Sequence, residues 1–376
     1  MKSELSAIEL HYLIEEMKLV SNSKVDKIYQ PKKEEILFQL HKTGIGKNII
    51  RISGKFMHLT EHKSESPQTP FGFCTYLRKK LSNSILKEVR QMGSERIAEL
   101  LFEAKEKKMK IVVELFGIGN IILVDDKNII MSPMVTQKFK EREIASGKEY
   151  SYPKRDHNLF ELDEDEFRET LKKSGQEYIV KALATDLGIG GIYSEEICLI
   201  SRIEKSRNPG TLSDKDAKLL FKSLKTMQSN PSEPQIIKKG EDIIDIVPFA
   251  LETYKEKGFE MQKTETYNKA FDAVLTEHTV VKEKAETEKI RSKEYEKIKN
   301  AIMIQEKNMI KQGKDADENQ KKGEAIYENY AIVKDVLDSI IKARQKYSFK
   351  EIKEKLKDHK IVKDINEKEG KVVIEI

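Results

Sequence analysis

Tryptophan is absent from this chain of 376 residues, aromatic residues make up only 7%, and cysteine occurs twice. Cys74 and Cys198 lie far apart, each inside an apolar stretch, and neither belongs to a CxxC pair or stands near paired histidines. This excludes a disulfide framework and the common zinc sites, and predicts two buried, unreactive thiols. The seven histidines form no HExxH or similar arrangement, so no metal site is expected. Long apolar runs are also missing. The longest uncharged one, Gly117 to Val124, is far short of the ~20 residues that a membrane span needs. Met1, Lys2, Ser3 and Glu4 offer no apolar signal core, which predicts a cytoplasmic protein without a membrane partner. Catalytic signatures are lacking too: no P-loop, no GxSxG elbow, and no GxGxxG between a strand and a helix. No catalytic residue and no cofactor is predicted, and the expectation is a protein that is not an enzyme.

What the chain has is charge, 35% of its residues, with a net excess of only +5. So small an excess does not argue for nucleic acid by itself. The C-terminal third is densest in charge and nearly balanced, as solvated helices laced with opposite charges would be.

Apolar spacing predicts an opening helix, SAIELHYLIEEMKLV, capped by Ser3 or Ser6 and ended by a turn at 21–24. Period-two alternation follows at Ile36, Phe38 and Leu40, at Ile50 and Ile52, and at Phe56 and Leu59. A helix over 70–84, begun by Pro70, separates these from strands at 85–91, 97–104, 109–116, 119–125 and 128–132. The expected fold is α+β, with a β-sandwich or barrel at its centre and flanking helices. Beyond Tyr150 come a short helix in LDEDEFRETLKKSG, two helices around the turn LGIGG, and a helix capped by Ser213. A strand-like stretch after 233 then returns to a sheet. Heptad spacing in 288–311 and 326–347, with a polar connector at 311–323, predicts an antiparallel coiled-coil hairpin whose tip is the connector. The last residues read as a short helix and a strand without a partner in view.

Two stretches bear on function. In LGIGG, Gly188, Gly190 and Gly191 let backbone approach a ligand without a Cβ in the way, the build of a helix-hairpin-helix element facing a phosphate. A glycine-rich turn between two packed helices explains the same residues. The stretch 77–97 concentrates Arg78, Lys79, Lys80, Lys87, Arg90 and Arg96, which could line a phosphate-facing surface, although a solvated helix face and an edge strand would look alike. Glu95 and Arg96 beside Gly93 read as a loop where a carboxylate orients a guanidinium.

In order along the chain, SAIELHYLIEEMK with VDKIYQ, TPFGFCTYLRKKL with VRQMGSERI, VVELFGIGNIILVDD, YSYP, DLGIGGIYSEEICLISRI, and IVPFALETY with YNKAFDAVL resemble the NFACT family. The resemblance covers nearly the whole chain and implies a domain order. An NFACT-N domain similar in fold to the MutM N-domain would occupy 1–175, and a helix-hairpin-helix domain 176–232. A segment returning to the N-terminal domain would follow at 233–275, then a middle coiled coil at 276–347. Residues 348–376 would lead toward a missing NFACT-R domain, as in a truncated chain or a short member. Such proteins bind large ribosomal subunits obstructed by peptidyl-tRNA, touching rRNA and the stalk base. They recruit charged tRNA, tRNA-Ala in bacteria, for untemplated tailing of the stalled nascent chain. The family's functional acidic and Asp-Arg positions fall on Glu9 and on Glu95 and Arg96, both acids being Glu here where many members have Asp. Two other readings stand beside this one. A MutM-like DNA-binding protein would have to do without glycosylase activity, since Met1-Lys2-Ser3 supplies no proline nucleophile and the cysteines build no finger. A fibronectin-binding adhesin, after a label carried by family members, would need export.

Overall fold

The computed structural model describes residues 2, 4–105, 107–153, 157–357, 359–366 and 369–376, without the side chains of 277–290. They fall into two units, Met1–Val281 and Lys282–Ile376.

The first unit opens with α1 (Ala7–Met17). Ser6 caps it: the hydroxyl accepts the Glu9 N–H, and the Glu9 carboxylate accepts the Ser6 N–H, satisfying two orphan donors reciprocally. Ser3, the other candidate cap, lies outside the described residues. Nine strands follow: β1 (Ser23–Tyr29), β2 (Glu35–Lys42), β3 (Gly46–Ser53), β4 (Phe56–Thr60), β5 (Ile85–Gln91), β6 (Ile97–Ala104), β7 (Lys107–Glu114), β8 (Asn120–Asp125) and β9 (Ile130–Pro133). They form one antiparallel sheet in the order β4-β3-β2-β1-β5-β6-β7-β8-β9, with α2 (Gly72–Leu81) inserted between β4 and β5. For the interior strand β1 the sequence predicts only a turn, at 21–24. A bulge between Val25 and Lys27 leaves Asp26 and Lys27 exposed side by side, which breaks the alternation that marks a strand.

The sheet is strongly curled. Phe38 on β2 and Phe102 on β6 have ring centroids 5.7 Å apart, whereas three strand spacings in a flat sheet would part them by about 14 Å. The hairpin turns of the two halves also meet: a Cβ on Gly119 would lie 2.4 Å from the Gly54 carbonyl oxygen, so the contact requires glycine. The strand order stays open, so this is one curled sheet and not a closed barrel. A short ribbon, β10 (Gln137–Lys138) with β11 (Glu143–Ile144), follows β9.

Next come α3 (Glu164–Lys173), α4 (Ile179–Lys181) continued by a wide helical turn through Asp186, α5 (Gly191–Ile200) and α6 (Asp214–Gln228). The stretch after 233 does not return to the large sheet. It builds a second one, ordered β13-β12-β14, from β12 (Gln235–Lys239), β13 (Asp242–Val247) and β14 (Glu260–Lys263). Ile236, Ile237, Ile246 and Val247 nevertheless join the core that holds α1 and α5. Glu196 of α5 accepts the N–H groups of Glu252 and Thr253 and so caps α7 (Glu252–Glu256). Glu16 of α1 does the same for the next helix, α8 (Tyr267–Glu328), accepting from Tyr267 and Asn268 at 2.7 and 2.9 Å.

The second unit corrects two expectations. The connector 311–323 is helical throughout, inside α8, and the first break falls at Asn329, before α9 (Tyr330–Arg344). Lys, Gln, Glu and Ala are good helix formers, Gln320 bonds Glu324 one turn on, and Gly313 and Gly323 cost only about 1 kcal/mol each. The heptad residues Tyr295, Ile298, Ile302, Met309, Ile326 and Tyr330 are exposed, so no antiparallel hairpin packs along them among the described residues. The final strand does have a partner: β15 (Val362–Asn366) pairs with β16 (Lys371–Ile374). This hairpin, α9 and α10 (Phe349–Lys355) enclose a small core of Ile340, Ile352, Val362 and Ile365.

Candidate nucleic-acid interface

Three stretches far apart in sequence meet around one cavity of about 630 Å³ in the first unit: the N-terminus of α1, the β5–β6 loop, and the glycine turn that begins α5. Glu9, Glu95, Arg96, Gly188, Gly190 and Gly191 all line it.

The β5–β6 loop is held by its own backbone and by its neighbours. Met92 and Ile97 close it through a 3.0 Å hydrogen bond, and Gly93 turns it with φ +53°. The Gln91 amide donates to the carbonyls of Ala7 and Glu95 at 3.0 and 2.9 Å, fastening the loop to α1. Arg96 therefore projects from a fixed base. Its Nη1 lies 2.9 Å from Glu4 Oε1 and donates to the Leu5 carbonyl at 3.5 Å.

Beneath the cavity lies a buried charge network. Lys2 Nζ is 2.7 Å from Glu9 Oε1, is paired with Asp245, and donates to the Ile246 carbonyl. Tyr193 donates to Glu9 at 2.8 Å, and Tyr254 donates to Asp245 at 2.6 Å. Burial would lower the Lys2 ammonium, but Glu9 and Asp245 outweigh it and hold it above its ordinary value. Burial, then the charge of Glu9, pushes the Tyr193 phenol well up. Glu9 itself is only 1% exposed. Its carboxylate caps α1 and ties Lys2 and Tyr193 together, so it shapes the cavity from below.

Gly190 precedes α5 with φ +91°, a left-handed conformation that calls for glycine, and a Cβ there would make ordinary contact with Ser6 Cβ at 3.4 Å. Among the described residues no side chain caps α5, and its first turn opens on the cavity through Gly191, Ile192 and Tyr193. Together with the partly exposed Arg96, this electropositive helix end suits an anion with several acceptor oxygens, such as a phosphate.

The other basic candidates lie elsewhere. Arg78 donates to the Ile28 carbonyl at 2.8 Å and ties α2 to β1. The Lys80 ammonium lies 5.7 Å from the centroid of the Tyr76 ring, Arg90 pairs with Glu99 at 2.7 Å, and Lys79 is exposed. None of these four lines the cavity. Cys74 and Cys198 are free and buried, and burial pushes the Cys198 thiol up to about 12. Sequence reasoning did not find Lys2, Glu4, Tyr193 or Asp245. One signal was available: an acid interrupting the apolar strand IIDIV marks a buried partner.

A family model described as NFACT N-terminal and middle domains matches residues 6–370. The chain is 31% identical to the archaeal Rqc2 homolog aRqcH of Methanocaldococcus jannaschii, an alignment covering 100% of this chain and 58% of that one. It is 26% identical to ribosome quality control complex subunit 2 of Saccharomyces cerevisiae, over 62% of this chain and 24% of that one. Among solved structures, the N-terminal part of the fibronectin/fibrinogen-binding protein from Streptococcus suis shares the fold, with TM-score 0.59 and 21% identity over 73% of this chain and 100% of that one.

Proposed function

The chain belongs to the NFACT family, and from that membership we propose that it acts in ribosome-associated quality control, holding tRNA against an obstructed large ribosomal subunit. In this reading the protein binds the subunit with its peptidyl-tRNA and recruits a charged tRNA for untemplated tailing of the nascent chain. Peptidyl transfer stays with the ribosome, and the protein positions substrates without a catalytic group of its own. The observation that carries the proposal is the single cavity gathering Glu95, Arg96 and the glycine turn over the buried Glu9.

Each part has a role there. Arg96 offers a guanidinium whose planar donors match phosphate oxygens. The glycine turn brings the first N–H groups of α5 close to the tRNA backbone, as a helix-hairpin-helix element does. Glu9 acts through Lys2 and Tyr193, keeping α1 and α5 at the distance that leaves the cavity open.

The test is affinity purification of the full chain from its host, with sequencing of the RNA that comes along. Large-subunit rRNA with one enriched tRNA is expected. Arg96→Ala should weaken tRNA retention by about 10-fold while leaving subunit binding within about 2-fold, the pattern of one lost phosphate-directed cation. Equal loss of both would overturn the tRNA role of Arg96, and recovery of no RNA would overturn the proposal. Retention should also fall steeply between 50 and 200 mM salt, as roughly one counterion is released per phosphate contacted.

A further inference from the structure

Where the cavity meets solvent, the Glu4 carboxylate is gripped by two cations from different parts of the fold. Oε2 lies 2.8 Å from Lys55 Nζ, on the turn between β3 and β4, and Oε1 lies 2.9 Å from Arg96 Nη1, on the β5–β6 loop. We infer that Lys55 and Arg96 form a two-cation phosphate clamp, that Glu4 occupies it while no RNA is bound, and that an RNA phosphodiester takes the place of Glu4. The inference rests on the reading of this cavity as a tRNA site, and adds to it a binding residue, Lys55, and a competing one, Glu4.

Three observations carry it. The first is shape. A carboxylate and a phosphodiester each present two anionic oxygens, and an anion that bridges an ammonium and a guanidinium at 2.8 and 2.9 Å marks a place where such a pair of oxygens fits. The second is rigidity of the cations. Lys55 follows Gly54, whose carbonyl is wedged against Gly119, and Arg96 stands on the loop fastened by Gln91. Neither backbone has to move to receive a ligand. The third is that Glu4 can leave. Its side chain is 40% exposed, against 33% for Lys55 and 31% for Arg96, and ion pairs that solvated hold weakly. Its backbone is pinned between Lys2 and the fully buried Leu5. Displacement is therefore a rotation of one side chain toward water, with the N-terminal segment left in place.

The Lys55 hydrogen bond, with Arg96 adding to it, holds the Glu4 carboxyl below its ordinary value despite some burial, so Glu4 competes as an anion throughout the physiological range.

The experiment measures binding of bulk deacylated tRNA to the full chain by fluorescence anisotropy from 50 to 200 mM salt. Glu4→Gln removes the competitor and should tighten binding by about 3- to 10-fold at the lower salt, more than a remote charge change can. Glu169→Gln, at an exposed pair with Lys173, controls for net charge and should change binding less than about 1.5-fold. Lys55→Gln should weaken binding about 3- to 10-fold and reduce the salt slope by about one. An unchanged or weaker Glu4→Gln, or a Lys55→Gln with wild-type affinity and slope, overturns the clamp while leaving tRNA binding intact. A wild-type chain that retains no tRNA overturns the functional reading itself.

Discussion

Lys2→Met should destabilise the first unit by about 3–5 kcal/mol, the cost of stranding buried carboxylates after one partner of a buried ion network is removed. Lys2 bridges Glu9 and Asp245, whose side chains are almost enclosed. Methionine fills much of the same volume but gives neither carboxylate a proton or a charge. For a unit of this size such a loss lowers Tm on the order of 10 °C. The pH dependence distinguishes this from simple fraying of the N-terminal segment. In the wild type the raised Lys2 value contributes stability that is fully present below the unfolded lysine value and is lost only as pH rises through the folded one, far into the alkaline range. The variant has no such group, so the gap to wild type should hold through the neutral range and close only as pH rises into that alkaline range. Urea denaturation of both proteins at pH 7.5 and in the alkaline range makes the measurement. A loss under about 1 kcal/mol that does not change with pH would mean that Lys2 behaves as an ordinary surface pair.

That prediction links stability to the site, because the Lys2 network joins α1, α5 and β13 beneath the cavity. Tyr193 enters from α5, Asp245 from β13 and Glu9 from α1. The positions that face the cavity, Arg96 and Gly190, depend on those elements for their separation. Lys2 is a positioning residue in this sense.

How much of this was legible in the sequence depended on how local the signal was. A helix cap at Ser3 or Ser6, the strand at Ile36–Phe38–Leu40 and the glycine turn at 188–191 are each written within a few residues, and the structure holds all three, the cap at Ser6. The strand β1 was hidden by a one-residue bulge, which no period-two pattern survives. The coiled-coil connector differs for the opposite reason: its polar composition reads as a loop, while its intrinsic helix propensity decides the outcome. At the site, Glu9, Glu95, Arg96 and the glycines came to attention through family resemblance and local spacing, but nothing local says that they share a cavity. Glu4 and Lys55 carried no signal at all, since an isolated acid and an isolated lysine in a charge-rich chain are indistinguishable from dozens of others. Their meaning lies in the curl of the sheet, which brings the β3–β4 turn beside the β5–β6 loop.

Acid should unfold the first unit through His58, and His58→Leu should slow that loss. His58 sits on β4, fully enclosed, and neither ring nitrogen has a hydrogen-bond partner among the described residues. Arg51 pairs with it across the sheet from β3, itself bound to Glu35 of β2 at 3.0 Å. From α8, Asp272 approaches to 3.8 Å, while its carboxylate accepts the Glu61 N–H at 3.0 Å and the Thr60 hydroxyl. Burial, and then the Arg51 charge, pushes the imidazole down to about 3, with Asp272 opposing. The folded state therefore keeps His58 neutral where the unfolded chain, near 6.5, has already taken up a proton. Stability contributed by the neutral ring is complete above the unfolded value and drains away as pH falls from about 6.5 toward about 3, at up to about 1.4 kcal/mol per unit. Leucine cannot take up that proton in either state. At pH 7 the His58→Leu variant should lie within about 1.5 kcal/mol of wild type, and at pH 4.5 its stability relative to wild type should have risen by about 2 kcal/mol. Parallel denaturation curves at pH 7, 5.5 and 4.5 measure that difference directly, because the two proteins differ only at this ring. If the two proteins lose stability in parallel, His58 does not drive the acid transition, and the buried ring must already be protonated against Asp272.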